Sequence, residues 1–188
     1  MTDLELRREA IDLAYRDHAD DVYRVAFAIL RDREAAVDAT QDCFARAFER
    51  WAQYDSHRPL RAWLHGIVSH AALDDLRRRS IRRLAAPAIV HLRSLSGDAS
   101  RTSADPAIEV VRRQQVEEAM AGLKPDARAA LVLRHYYGYD YTEIAGFLRT
   151  SPGNVGSLLS RAHAALRMRL TGSEPASDDP TMPKRAAR

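Results

Sequence analysis

Three aromatic side chains, Trp51, Tyr54 and Trp63, stand shortly before an arginine run, RRRSIRR at 77–83, in which five of seven residues are Arg. Aromatic rings stack on unpaired nucleic-acid bases, worth about 1 to 3 kcal/mol per base, while guanidinium groups hold the phosphate backbone. The chemistry on offer is therefore binding of a single strand. Two structural alternatives stand beside it. Trp51 continues the apolar stripe of Phe44, Ala47 and Phe48, which points it to a core, whereas Trp63 is open to either reading. An arginine run can also be a merely solvated helix face, but its place just before a change of composition favours phosphate contact.

No residue set supports covalent or acid–base catalysis. His70 and Asp74 lie one helical turn apart, a spacing also met in ligand pairs, yet a satisfied polar pair on a helix surface is much the commoner cause. The histidines at 18, 57, 65, 91, 135 and 163 show no metal spacing. A glycine-rich phosphate loop and a nucleophilic triad are also missing. Cys43 is the single cysteine, so neither an intrachain disulfide nor a cysteine-rich zinc site can form, and a reducing compartment fits. The expectation is a binding protein without catalytic residues, metal or cofactor.

The elements that must position these residues are helices. Val22, Val25, Ala26, Ile29 and Leu30 form one apolar stripe, ended by Arg31-Asp32-Arg33. Phe44, Ala47, Phe48 and Trp51 form a second. YDSHRPL at 54–60 reads as a loop, after which Trp63, Leu64, Ile67, Val68 and Ala71 resume the helical period. From Leu84 to Glu109 the composition turns to Ala, Ser, Pro and Gly without a sustained period, which predicts a flexible linker. Stripes return at Val116, Ala119, Met120 and Leu123, at Leu131 with His135, at Ile144 with Leu148, and at Val155, Leu158, Leu159, Ala162, Leu166 and Leu170. From Thr171 onward the tail is rich in Pro, Asp and Ser and is expected to be disordered. The fold class is all-α: two small helical domains, 1–83 and 110–170, with a linker at 84–109 and a tail at 171–188.

Residues 141–159, YTEIAGFLRTSPGNVGSLL, have the spacing of a DNA-binding helix-turn-helix. Ile144 and Leu148 on the first helix would meet Val155 and Leu158 on the second, with the small Ala145 at the crossing. Ser151 is a good N-cap and Pro152 suits the first helical position. The first turns of such a second helix enter the major groove, so Ser151, Asn154, Gly156, Ser157 and Arg161 are the candidate duplex-reading residues. Arg149 occupies the turn position that usually takes Gly, at a cost of about 1 kcal/mol. The competing reading is a helical hairpin that packs and reads nothing.

With 188 residues, 46% of them hydrophobic, the chain can build one ordinary domain or two small ones. The formal charge is only +3, but every basic residue except Lys124 and Lys184 is arginine, the side chain that grips phosphate oxygens in pairs. Base composition of the coding DNA could produce the same bias, so placement has to decide. The segment MTDLELRREA lacks the blocks of a signal peptide, and no apolar run approaches the roughly 20 residues that span a bilayer. A cytoplasmic protein without membrane insertion is expected.

Taken together these residues resemble the extracytoplasmic-function (ECF) sigma factors of bacterial RNA polymerase, over residues 20–83 (region 2) and 112–170 (region 4). AVDATQDCF at 36–44 is similar to the family element that faces the clamp helices of the polymerase largest subunit. The resemblance implies core-polymerase contact by Asp38, Gln41, Asp42 and Phe44, with Val37 where an acid is usual. RAWLHGIVSHAALDDLRRR at 61–79 resembles the segment that opens and reads the minus-ten promoter element. It implies roles there for Trp63, His70, Asp74, Arg77 and Arg78, with His70 where Asn is typical, and a base pocket formed with the loop at 55–60. The run Asn154-Val155-Gly156-Ser157-Leu158 replaces the family's Thr-Val-Lys-Ser-Arg in the minus-thirty-five reader, and Gly156 removes a basic contact. Further implied are duplex and single-stranded promoter DNA, core polymerase and an anti-sigma protein as partners.

Holding both promoter elements at once needs a span of roughly 70 Å at about 34 Å per turn. A relaxed linker of about 25 residues averages only some 25 to 30 Å, with a contour near 80 Å. Core polymerase is therefore expected to spread two separate helical heads. A stand-alone helix-turn-helix repressor or activator would explain residues 141–170 but leave the first domain idle. A pure interaction module that sequesters another regulator is the remaining alternative.

Overall fold

The computed structural model describes residues 2–85 and 115–171, and every regular element among them is helical. The first half is a three-helix bundle of α1 (Asp3–Leu30), α2 (Arg33–Glu49) and α3 (Leu60–Ala85), with a short 3-10 turn at Trp51–Gln53. The second half holds α4 (115–121), α5 (Pro125–Leu131) with a π-helical turn at Val132–Tyr136, α6 (Tyr141–Leu148) and α7 (Pro152–Thr171).

Local chemistry marks the helix ends. Thr2 and Glu5 form a capping box at the start of α1, the Thr2 hydroxyl accepting from the Glu5 N–H and the Glu5 carboxylate from the Thr2 N–H. Arg31 stops α1 in the left-handed conformation at φ 55°, and Asp32 caps α2 by accepting from the Ala35 N–H. A reversal this short lays α2 antiparallel on α1. Small residues line that contact: Ala36, Ala39, Cys43 and Ala47 of α2 meet Val22, Val25, Ala26 and Ile29 of α1, with Leu64, Val68 and Ala72 of α3 closing the core.

In the second half Ile144, Ala145 and Leu148 of α6 bury against Val155, Leu158, Leu159 and Ala162 of α7. Asp140 caps α6, accepting from the Thr142 and Glu143 N–H groups at 2.7 and 2.8 Å, and the Glu143 carboxylate accepts from the Asp140 N–H. Arg149 ends α6 at φ 51°, the left-handed turn that the sequence requires.

The periodicity misplaced four side chains, one of them His135, which is exposed on the π-helical turn. Val116 and Leu170 are each 48% exposed because they sit at helix ends where the stripe has no neighbour left to cover it. Trp51 leaves the α2 stripe because α2 ends at Glu49 and the following turn is 3-10. Of the expected linker, residues 84 and 85 are helical and 86–109 lie outside the described residues. Of the expected tail, Thr171 ends α7 and the remainder lies outside them as well.

The two halves are not held apart but packed together, α1 on α5 and α3 on α6. A continuous buried cluster runs through both. The seam itself is nevertheless rich in polar contacts. Arg128 of α5, 6% exposed, sends Nε to the Ala28 carbonyl and Nη2 to the Ile29 carbonyl, both at 2.8 Å, and Nη1 to the Leu123 carbonyl of its own half. The Arg31 guanidinium donates to the Glu117 carbonyl at 3.2 Å, and the Tyr137 hydroxyl to the Asp21 carbonyl at 3.0 Å. Phe147 of α6 lies over Gly66 of α3, its ring 3.4 Å from where a β-carbon would sit. Polar seams of this kind characterise interfaces that open and close, unlike obligate hydrophobic ones.

Candidate nucleic-acid interface

The turn after α2 and the start of α3 assemble the aromatic cluster. Trp51, Tyr54 and Trp63 form a triangle, with ring centroids 5.4, 5.1 and 6.1 Å apart. The intervening loop is held by its own hydrogen bonds: the Tyr54 hydroxyl donates to the Arg58 carbonyl at 2.8 Å, and the His57 N–H to the Asp55 carboxylate at 3.0 Å. A cavity opens beside the cluster, lined from this side by Arg50, Tyr54, Arg58 and Trp63, and from α6 by Asp140, Glu143 and Phe147. Half-buried rings beside two arginines suit a planar base attached to a phosphate backbone.

Along α3 the remaining candidates diverge. His70 donates from Nε2 to the Gly146 carbonyl at 3.1 Å, and burial lowers its pKa. Asp74 accepts from Arg77 at 3.1 Å and faces Arg149 at 3.5 Å. The two are thus not a pair; each turns to the second half or to its own helix. Arg77 and Arg78 are exposed, while Arg79 is drawn to Asp75 at 2.5 Å and Asp32 at 3.6 Å. Surface pairs of this type are worth about 1 kcal/mol or less, so phosphates can displace them.

On α2, Val37, Asp38, Gln41 and Asp42 are exposed on successive turns of one face. Phe44 departs from expectation. It is 5% exposed and packs edge-on against Tyr15 at 4.9 Å, so it supports that face from beneath and offers a partner no surface.

The second half presents the start of α7. Ser151, Asn154, Ser157 and Arg161 are exposed, and Gly156 is half-buried, with the Tyr141 ring 3.5 Å from where a β-carbon would sit. The Ser151 hydroxyl accepts from the Asn154 N–H at 3.2 Å, which confirms Ser151 as the cap. The Asn154 amide donates to Thr150 at 2.7 Å, the Ser157 hydroxyl to the Gly153 carbonyl, and Arg161 Nε to the Ser157 carbonyl. No acidic residue stands in the first turn of α7, so nothing offsets the positive end of its dipole.

Sequence reasoning missed Arg128, His65 and the π-helical turn, all of which act through contacts with distant parts of the chain. His65 is fully buried between Tyr137 and Tyr139, shares a 3.1 Å hydrogen bond between Nδ1 and the Tyr139 hydroxyl, and has no partner at Nε2. Burial pushes its pKa down to about 4. Burial, with Arg31 nearby, lowers Arg128 to about 10, still charged near neutral pH. Among the described residues no group of three or more metal-capable side chains gathers, and no helix is long and apolar enough to cross a membrane.

Comparison with known proteins agrees with this geometry. The family models for Sigma-70 region 2 and Sigma-70 region 4 match residues 14–82 and 113–166. The ECF RNA polymerase sigma factor SigM of Mycobacterium tuberculosis is 32% identical over 159 residues, covering 85% of this chain and 76% of SigM. The probable RNA polymerase sigma factor RfaY of Xanthomonas campestris is 33% identical over 149 residues, 79% of this chain, but the chain spans only 37% of RfaY. Among solved structures, the sigma factor RpoE of Bartonella quintana, crystallised with the anti-sigma factor NepR, has the same fold at a TM-score of 0.72 and 20% identity, over 86% of this chain and 97% of that one. With a bundle and a helix-turn-helix that each match their family model, the chain belongs to the ECF sigma factors.

Proposed function

We propose that this protein directs core RNA polymerase to its promoters and assists their opening, leaving phosphoryl transfer to the polymerase. One observation carries the reading: a single chain holds both a helix whose exposed first turns suit a major groove and an aromatic cavity suited to an unpaired base. Asn154, Gly156, Ser157 and Arg161, on the helix that Ser151 caps, read the minus-thirty-five duplex. Trp63, His70, Asp74, Arg77 and Arg78 engage the minus-ten strand. Asp38, Gln41 and Asp42 meet the clamp helices of the polymerase largest subunit, over the buried Phe44. The protein works in the cytoplasm, and an anti-sigma protein, such as accompanies the Bartonella relative, holds it in check.

The test is reconstitution of core polymerase with and without the protein on a cognate promoter, scoring unpaired thymines by permanganate. Opening only in its presence is expected; no opening with intact protein would refute the function.

A further inference from the structure

Two exposed histidines of the second half meet on its surface. His135 and His163 are 28 residues apart in the chain, yet their Nε2 atoms lie 2.9 Å from each other. The ring centroids are 5.0 Å apart, so the rings meet tip to tip and not face to face. Each nitrogen therefore directs its in-plane lone pair or its N–H at the other.

The backbone imposes this meeting. Leu131 and Leu133 on one side and Leu159 and Ala162 on the other are buried and fix α5 and its π turn against α7. The π turn, closed by the Tyr137 N–H on the Val132 carbonyl at 3.3 Å, is wider than an α turn and carries His135 off the stripe that Leu131 begins. His163 follows Asn154 by nine residues and Arg161 by two, which at about 100° per residue turns it to the opposite flank of α7 from both. No sequence spacing announces the pair, because its members come from separate elements.

A hydrogen bond between two exposed rings gains little, since water serves either ring nearly as well. Two converging imidazole nitrogens can instead share a metal ion. Bonds of about 2.0 to 2.1 Å in a tetrahedral zinc site set two nitrogens about 3.3 Å apart, slightly more than their present separation, and small ring rotations supply the difference. Partial burial, the His135 ring and the Arg167 guanidinium lower the pKa of His163, which keeps it in the neutral form that coordinates metals.

We propose that His135 and His163 form an open two-imidazole site for a transition-metal dication of the zinc, nickel or copper class, which clips the π turn to α7. Among the described residues no third ligand of the histidine, cysteine or carboxylate kind joins them, so water completes the coordination. Magnesium and calcium, which take oxygen ligands, are not held. The site lies away from Asn154 and Arg161 and does not depend on the promoter-reading function.

The experiment uses the full chain, free of any polyhistidine tag and stripped with EDTA, as wild type, His135→Gln and His163→Gln. Zinc chloride titrated into wild type is expected to give saturable heat and a higher urea midpoint, both reversed by EDTA and neither produced by magnesium. Each substitution is expected to weaken the binding by at least about tenfold at unchanged helical circular dichroism, as loss of one of two direct ligands requires. Wild type alone provides a second reading. Zinc is expected to protect His135 and His163 from diethylpyrocarbonate, mapped by peptide mass spectrometry, while the exposed His57 stays reactive. Absence of zinc binding by wild type, binding that survives either substitution, or protection that does not distinguish the pair from His57 would overturn the site.

Discussion

At the scale of single residues, Trp63 separates binding of paired DNA from binding of parted strands. Its ring completes the aromatic triangle and has no part in the helix-turn-helix. Trp63→Ala is expected to reduce permanganate reactivity of the minus-ten thymines in the holoenzyme about tenfold, the scale of one lost stacking contact, with little change in duplex retention. Equal losses in both assays would count against a melting role. Cys43 makes a contrasting case. Its thiol is buried, hydrogen-bonded to the Leu64 carbonyl, and pushed up to about 12 by burial. Native protein should thus resist a maleimide at neutral pH and react only when unfolded, as mass spectrometry would show. Residue types were legible in the sequence because spacing alone puts Trp63 near Tyr54 and the arginines. The inward turn of Phe44 was not, because a motif names a position without saying which way its side chain points.

At the scale of elements, the helix-turn-helix was readable almost whole. Ser151, Pro152 and Asp140 mark helix starts by local hydrogen bonding, which needs no knowledge of the rest of the chain. The same local origin makes the element easy to perturb. Asp140→Ala removes the acceptor for two N–H groups of α6 and is expected to lower stability by about 1 kcal/mol in urea unfolding. Gly156→Ala works the other way: the new β-carbon meets the Tyr141 ring at an ordinary 3.5 Å, and helix propensity improves by up to about 1 kcal/mol. A higher urea midpoint is the expected result. The end of α2 was not readable, because the 3-10 turn that carries Trp51 out of the stripe depends on the rings of Tyr54 and Trp63 beside it.

At the scale of the whole molecule, the sequence supplied two helical units and left out how they meet. Arg128, Tyr137 and His65 lie far from their partners along the chain, and no period links them. His65 gives this level its pH dependence. It is faced by Asp21 and His18 from α1, by Arg61 on its own helix, and by Tyr137 and Tyr139 from the second half. Its pKa is about 4 in the folded protein against 6.5 when exposed. The folded state therefore binds fewer protons than the unfolded state between those values, and stability falls as pH drops through that window. At about 1.4 kcal/mol per pKa unit the loss grows to about 3.5 kcal/mol below pH 4 and is absent above about pH 6.5. Urea midpoints at pH 7.5, 6 and 5 check it, with His65→Gln expected to flatten the profile. The end of α1 provides a reporter for the same level. While Arg128 occupies the Ala28 and Ile29 carbonyls, the last turn of α1 is pinned from outside; once the guanidinium leaves, that turn is free to fray. Deuterium uptake by the amides of residues 27–31 becomes a gauge of how often the molecule unclasps, readable in a peptide mass spectrum with no DNA and no polymerase in the tube.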